Sequence, residues 1–167
     1  VTTTEWADEL AGGVLSAGPD RLDGMSRAEV PAVIAPGCLD MVNFGERDTV
    51  PPELGERTIY EHNPQVTLVR TSAAECSELG KILSRKANAN KAPTSILLPT
   101  KAISLISAEG QVFHDPAADE ALFDAIREEA EVEVMELAVE INSEDFARAC
   151  VGKLLELIRK GGSLSSS

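Results

Sequence analysis

Pro31-Ala-Val-Ile-Ala-Pro-Gly37 and Thr94-Ser-Ile-Leu-Leu-Pro99 are two short apolar runs, each closed by proline. Neither alternates polar with apolar residues, as a strand does when both its faces are covered in a parallel sheet. Working outward from them, the intervening sequence carries helix signals. Ser72 with Glu75 spells a capping box, and Cys76, Leu79, Gly80 and Leu83 follow at helical spacing as far as Ala87. Asp115 before Pro116 predicts an N-cap with proline in the first turn, and Leu122 and Ile126 repeat four apart. Residues 132–139 read as a further strand. Ser143 then opens a last helix with the stripe Phe146, Cys150, Leu154 and Leu157 or Ile158. That helix is expected to stop at Arg159, Lys160 and the pair Gly161-Gly162, a basic last turn followed by glycine. Strand and helix alternate, which predicts an α/β domain in three layers, a mainly parallel sheet with helices on both faces. Right-handed crossovers then set the strand C-termini along one edge, where such sheets bind ligands, so the loops after Ala35 and Leu98 come to the fore.

At the other end of the chain, Thr2 with Glu5 forms a capping box ahead of Trp6 and Leu10, so a helix opens with no strand before it. The apolar side of such a helix, Trp6 and Leu10, is expected to need cover from elsewhere. The chain accordingly reads as half of a split pair or a piece of a longer protein. Residues 38–56 have little period and carry the adjacent prolines Pro51 and Pro52, which suggests a long loop, and 57–61 is a candidate short strand. The domain is expected over 1–160, with 161–167 a disordered, serine-rich tail.

Charge and composition exclude several classes of partner. The net charge is −13, and no short window is dominated by Lys or Arg, so nucleic acid is not an expected ligand. No run approaches the roughly 20 apolar residues of a membrane span, and no signal peptide is read at the start. Cys38, Cys76 and Cys150 are odd in number and far apart, which suits a reducing, cytoplasmic setting better than a disulfide framework. With only two histidines, His62 and His114, and no paired cysteines, no metal site is expected from the residues alone.

Candidate site residues fall in three stretches. Gly13 and Gly18 stand as in a phosphate loop, but Pro19 and Asp20 occupy the places that need Lys and Ser or Thr. What is left is a glycine turn able to let a backbone approach a ligand. Gly37, Asp40, Asn43, Arg47 and Asp48 are interleaved with Met41, Val42 and Phe44, a mixture that points to a ligand or interface loop. Cys38 among them is either a nucleophile or a small buried residue, and no histidine lies near it in sequence. His62, Asn63 and Arg70 offer an imidazole, an amide and a guanidinium that suit a phosphate or carboxylate. Lys101 and Ser104 follow the second strand. If the domain is an enzyme acting on a small phosphorylated or carboxylated metabolite, His62 or Asp40 is its acid or base, and Arg70 and Lys101 clamp the anion. Such an enzyme brings His62, Asp40 and Arg70 to one point, whereas a binding module need not.

Longer runs carry a resemblance. Gly12-Gly-Val-Leu-Ser-Ala-Gly-Pro-Asp-Arg-Leu22, Pro36-Gly-Cys-Leu-Asp-Met-Val-Asn-Phe-Gly45, His62-Asn-Pro-Gln-Val-Thr-Leu-Val-Arg-Thr71, Phe113-His-Asp-Pro-Ala-Ala-Asp119, Ile141-Asn142 and Phe146-Ala147 strongly resemble an uncharacterised protein family. It is the family that includes the ATP-binding inhibitory domain of the tomato mosaic virus resistance protein, and the likeness extends over nearly the whole chain. The resemblance implies two Rossmann-like subdomains, this chain being the second. It also implies ATP with Mg2+ as cofactors in a cleft shared with the missing N-terminal subdomain or a companion chain, a homodimer, and, as a further alternative, a protein-interaction module of the kind that inhibits viral replication. By the same resemblance Gly13, Gly18, Gly37, Asp40, Asn43, His62, Asn63, Arg70 and Lys101 are the cofactor-binding candidates. The chain departs from the family pattern at Ala102, where glycine is usual, at Ser107 and Ser143, where aspartate is usual, and at Glu140, where histidine is usual.

Overall fold

The structure, a computed structural model, describes residues 3–164. Two apolar runs become β1 (Ala32–Ile34) and β5 (Thr94–Pro99), which pair in parallel, Ile34 beside Ile96. A third strand, β6 (Glu133–Leu137), lies parallel on the far side of β5, giving the order β1-β5-β6. Successive side chains of a strand point to opposite faces. On one face Ile34, Ile96 and Leu98 join the main core with Leu79, Leu83, Leu122 and Ile126. These four come from α3 (Ala73–Asn88) and α4 (Pro116–Glu129). On the other face Ala35 and Leu97 pack against Phe146 of α5 (Glu144–Leu164). The domain is therefore an α/β, Rossmann-like three-layer fold, as the alternation of elements predicts.

Both expected caps on this scaffold are formed. Ser72 accepts from the amide of Glu75 while Glu75 accepts from the amide of Ser72, and the Asp115 carboxylate accepts from the amide of Ala118. The α3–α4 contact is close because Gly80 has no side chain: a Cβ there would stand 2.6 Å from the Leu122 carbonyl oxygen and 2.8 Å from the Ala125 Cβ.

Four expectations change. First, residues 38–56 are not a continuous loop: Met41–Phe44 is a strand, β2, followed by two single turns of 3-10 helix. Second, β2 joins β4 (Val66–Arg70) and β3 (Ile59–Asn63) in an antiparallel sheet of order β2-β4-β3. The period is two here: Val42, Val69 and Ile59 face the core while Asn43, Leu68 and Tyr60 stand in register on the other face. Third, α5 does not stop at Gly161 and Gly162 but runs through them to Leu164. Gly161 lies against Pro31 and Pro93, where a Cβ would stand 3.4 Å from Pro31 Cγ, an ordinary packing contact. Of the expected disordered tail, 165–167 lie outside the described residues.

Fourth, Thr2 also lies outside the described residues, and α1 (Thr4–Ala11) has Thr3 at its N-cap with no side-chain capping bond. Thr3 Oγ1 instead donates to the carbonyls of Ala35 and Gly37. Nor does Trp6 need an outside partner: it is 5% exposed, packed in the main core, with the Lys86 ammonium 5.2 Å from its ring centroid. A short helix, α2 (Asp23–Ala28), completes the fold. Among the described residues no helix is long and apolar enough to cross a membrane.

Gly80→Ala tests the close approach of α3 to α4. The helix gains about 1 kcal/mol of propensity, but backbone atoms of α4 must move, so the net loss is expected to be about 1–2 kcal/mol. A thermal melt should shift down by a few degrees; an unchanged or raised Tm would show that the two helices separate freely.

Candidate functional site

A cavity of about 580 Å³ opens over the C-terminal ends of the parallel strands. The post-β1 loop contributes Cys38, the post-β5 loop Ser104, Leu105 and Ile106, and the post-β6 loop Asn142. The outer face of the antiparallel sheet forms the opposite wall, with Met41 and Asn43 from β2, Tyr60 and His62 from β3, and Val66 and Leu68 from β4. The segments around Asn43 and His62, remote in sequence, thus meet at the strand edge where sheets of this kind bind ligands.

Arg70, at the end of β4 and in register with Met41, is 5% exposed and is not among the residues lining the cavity. Its Nε donates to the Phe113 carbonyl at 2.9 Å, and one terminal nitrogen donates to Asp119 Oδ1 at 2.6 Å and to the Asp115 carbonyl at 3.4 Å. The other terminal nitrogen reaches Thr71 Oγ1 at 3.0 Å and the Asp40 carbonyl at 3.4 Å. All sides of the guanidinium are committed inside the protein, so Arg70 holds structure together and does not face the cavity. The Phe113 ring that follows from this anchor meets Tyr60 edge-on at 6.5 Å, and His62 lies 6.1 Å beyond Tyr60. This places two rings on the cavity wall.

Asp40 is fully buried. Oδ2 accepts from Ser104 Oγ at 2.6 Å, and Oδ1 has no hydrogen-bond partner. Burial pushes the Asp40 carboxyl above the ordinary range, opposed by the Ser104 bond and by the charge of Arg70. Ser104 is itself fixed by Ser107: the Ser107 amide donates to Ser104 Oγ, while Ser107 Oγ accepts from the amides of Ile103 and Ser104. The Ser107 hydroxyl thereby caps the turn. Ala102 forms an isolated parallel bridge to Glu140 and is 2% exposed.

Asn43 is also turned to structural work. Its Nδ2 donates to Asp8 Oδ2 at 2.8 Å, its amide donates to Asp8 Oδ1 at 2.9 Å, and its carbonyl accepts from Val14. The buried Asp8 carboxylate takes up the space beside Gly13, where a Cβ would stand 1.9 Å from Asp8 Oδ1. Gly13 is therefore required by Asp8. Sequence reasoning missed Asp8, because an acidic residue inside an N-terminal helix reads as solvated surface. It missed Asp119, Tyr60 and Asn142 as well. The β-branched, apolar-rich run Val66-Thr67-Leu68-Val69 was the signal available for the wall containing Tyr60.

The remaining candidates are spread out. Gly18, with φ of +82°, forms an exposed turn, and Gly37 is buried, its carbonyl accepting from the amide of Thr3. Asn63 Oδ1 accepts from the amide of Gln65 in the hairpin turn, Lys101 is exposed at the start of the post-β5 loop, and Arg47 and Asp48 lie on an exposed 3-10 turn. Cys38 adopts φ of +58°, and its amide donates to Ile103. Burial and the neighbouring Asp40 push its thiol up to about 11, which leaves it protonated and a poor nucleophile at neutral pH. Among the described residues no group of three or more His, Cys, Asp or Glu is placed to hold a metal ion.

A parallel sheet covered on both faces, with an open cavity across its strand ends, defines the chain as a Rossmann-like α/β domain. A family model described as the C-terminal domain of an uncharacterised protein family, UPF0261, matches residues 1–158, and the chain belongs to that family. It is 46% identical to a UPF0261 protein of Clostridium tetani over 96% of its own length and 40% of that protein's. It is 41% identical to one of Rhizobium meliloti over 90% and 39%. The ToMV resistance protein Tm-1 of Solanum lycopersicum is 37% identical over 96% of this chain and 22% of the tomato protein. The chain thus spans about two fifths of the length of the two bacterial relatives.

Two measurements test the buried network. Burial pushes Asp119 up to about 6, only partly offset by Arg70, with Asp40 and Asp115 adding repulsion. The folded value lies above the usual 3.8, so in this window the folded chain binds a proton that the unfolded chain does not. The resulting stabilisation, on the order of 2 kcal/mol, is complete below the unfolded value and is lost as pH rises through the folded one. Asp119→Asn should therefore flatten the decline in unfolding free energy between about pH 4 and 6.5 by about that amount; an unaltered pH profile would remove Asp119 from the titration. For Cys38, alkylation by iodoacetamide at neutral pH should run roughly a hundredfold slower than for a free cysteine, read by peptide mass spectrometry. A rate equal to the free thiol would show an activated thiolate.

Proposed function

We propose that this domain is a nucleotide-binding half-module, its 580 Å³ cavity forming one wall of a cleft completed by the companion portion that the longer relatives carry. The observation that carries this reading is the cavity's position and lining: an apolar floor of Met41, Leu68 and Ile106, with the rings of Tyr60 and His62 on the rim, at the C-terminal strand edge. A flat aromatic base suits such a wall by stacking and apolar burial. The residues do not suit the other end of ATP. No Lys or Arg lines the cavity, and Arg70 is committed elsewhere. A triphosphate with Mg2+ would have to be held from the companion side. The working protein is in this reading a homo-oligomer of two-part chains.

Acid–base catalysis by His62 and Asp40 draws less support. His62 is exposed on the rim, Asp40 is sealed behind Ser104, and the guanidinium of Arg70 points inward. The three do not converge on one accessible point, as a binding module permits and an enzyme of that design would not.

Calorimetric titration of the 167-residue chain should give weak, roughly millimolar binding that is similar for adenosine and ATP and is lost in Tyr60→Ala. The whole-length protein at a hundred times its Kd for ATP should be stabilised by about 2.7 kcal/mol. Micromolar binding of ATP but not adenosine to the chain alone would overturn the division of labour. The absence of any thermal shift in the whole-length protein would overturn the nucleotide reading.

A further inference from the structure

Among the described residues the two sheets end in β1 and β6, and in β2 and β3. Three of these outer edges are guarded. β6 carries the exposed Glu133 and Glu136, engaged by Lys153 and Arg127, and charge is a common guard of a free edge. β3 exposes Glu61, and its register breaks between Glu61 and Asn63. On β2 the main chain of Asn43 is taken up, its amide by Asp8 and its carbonyl by Val14. β1 has no such guard, for Ala32, Val33 and Ile34 are all apolar. The Ala32 amide donates to the Pro93 carbonyl at 3.1 Å, on the β5 side, and main-chain groups alternate between the two edges of a strand. The Pro31 carbonyl and the amide and carbonyl of Val33 therefore point to the outer edge, where no strand lies among the described residues. A hollow of about 320 Å³ runs there and touches every residue from Val30 to Ile34. Successive side chains of a strand point to opposite faces, so only a space along the edge can touch them all. Leu22, with Met25 of α2, forms one lip and Leu154 of α5 the other, so the hollow continues the sheet's own layer between apolar side chains. Val151, Leu155 and Ile158 of α5 are exposed as well, but a helix has no main-chain groups to offer along its side.

The slot selects its occupant. A guest held between two apolar lips must be apolar on both faces and bring main-chain donors and acceptors of its own, which describes an inner strand of a parallel sheet. A second copy of this chain fits poorly, because two β1 edges meeting about a two-fold axis offer three residues each and copies charged −13 repel. More than half of each bacterial relative, by contrast, lies outside the stretch that this chain matches, and the matching family model is a C-terminal domain. We infer that the companion portion of the whole-length protein lays a strand into this slot, parallel to β1, as a fourth strand of the sheet. The outward groups of Pro31 and Val33 are then paired. The new strand's C-terminal end arrives beside Gly37 and Cys38, so the loop that follows it borders the cavity and can bring the positive charge that the cavity's own lining does not carry. The inference rests on the preceding reading for the companion portion alone and gives that portion its place of attachment.

Amide hydrogen exchange, read by NMR on the chain and on the whole-length protein without nucleotide, tests this. In the chain the Val33 amide should exchange quickly while those of Ala32 and Ile34 are protected. In the whole-length protein Val33 should slow by roughly a hundredfold or more, with a short proton contact from Val33 to the companion portion. Val33→Pro removes the outward amide and leaves the bonds to β5, a change that an edge strand tolerates and an inner strand does not. It should therefore lower the Tm of the whole-length protein by several degrees more than that of the chain. Equal exchange of Val33 in the two proteins, equal losses of Tm, or a close contact between Hα atoms across the edge, the mark of an antiparallel neighbour, would each overturn the inference. Slow exchange of Val33 in the chain alone, with a doubled mass in sedimentation, would give the slot to a second copy and overturn it too. A protected Val33 in a whole-length protein that binds no nucleotide would remove the nucleotide reading and leave this one standing.

Discussion

The enclosure of the Arg70 guanidinium is the constraint on which the rest of the site depends. A cation taken out of water costs several kcal/mol unless charge and hydrogen bonds replace its hydration. Here they come from four separate parts of the chain: the post-β1 segment at Asp40, the start of α3 at Thr71, the Phe113 carbonyl before α4, and α4 itself through Asp115 and Asp119. Once β4 ends on this arginine, the antiparallel sheet is pinned beside the C-terminal end of the parallel one, and the space between the two sheets becomes the cavity.

Several polar residues that could have served a ligand therefore hold the cavity's shape. Asn43 joins β2 to α1 through Asp8, Ser104 joins the post-β5 loop to Asp40, and Asn63 closes a hairpin. Each is satisfied within the chain, as buried or turn-forming polar groups generally are. The groups left to face an incoming molecule are rings, apolar side chains, two amides and a hydroxyl, with His62, Tyr60 and a protonated Cys38 as the ionisable groups among the lining residues. This imbalance favours recognition of a flat, weakly polar body over attack on it. It also directs attention to the companion portion for any charge the ligand carries.

The same division applies to the helices. In the N-terminal helix Trp6 is covered by its own chain, with Lys86 lying over the ring, while Leu10 remains 38% exposed. The last helix gave a clear inner stripe in sequence, yet its outer stripe is the unusual feature, since three large apolar residues remain in water after the domain has folded. A single helical stripe marks a surface helix, and α5 carries a second, exposed one.

Short-range chemistry made much of the fold legible. The proline-bounded apolar runs, the capping box at Ser72 and the Asp115-Pro116 helix start act within a few residues, and each formed where its pattern predicts. By themselves they determined the alternation of strands and helices, the parallel sheet and the edge at which to look. The antiparallel sheet escaped because β2 and β3 are short and broken by turns, and because β4 follows a stretch whose histidine and arginine read as a polar cluster. Gly161 and Gly162 do not act as a stop, and α5 runs through them to Leu164. Only the tertiary structure decided which polar residues are structural and which face the cavity. Asp40 and His62 carry equally suggestive side chains, and it is long-range burial, fixed by partners 30 to 64 residues away, that seals one and exposes the other.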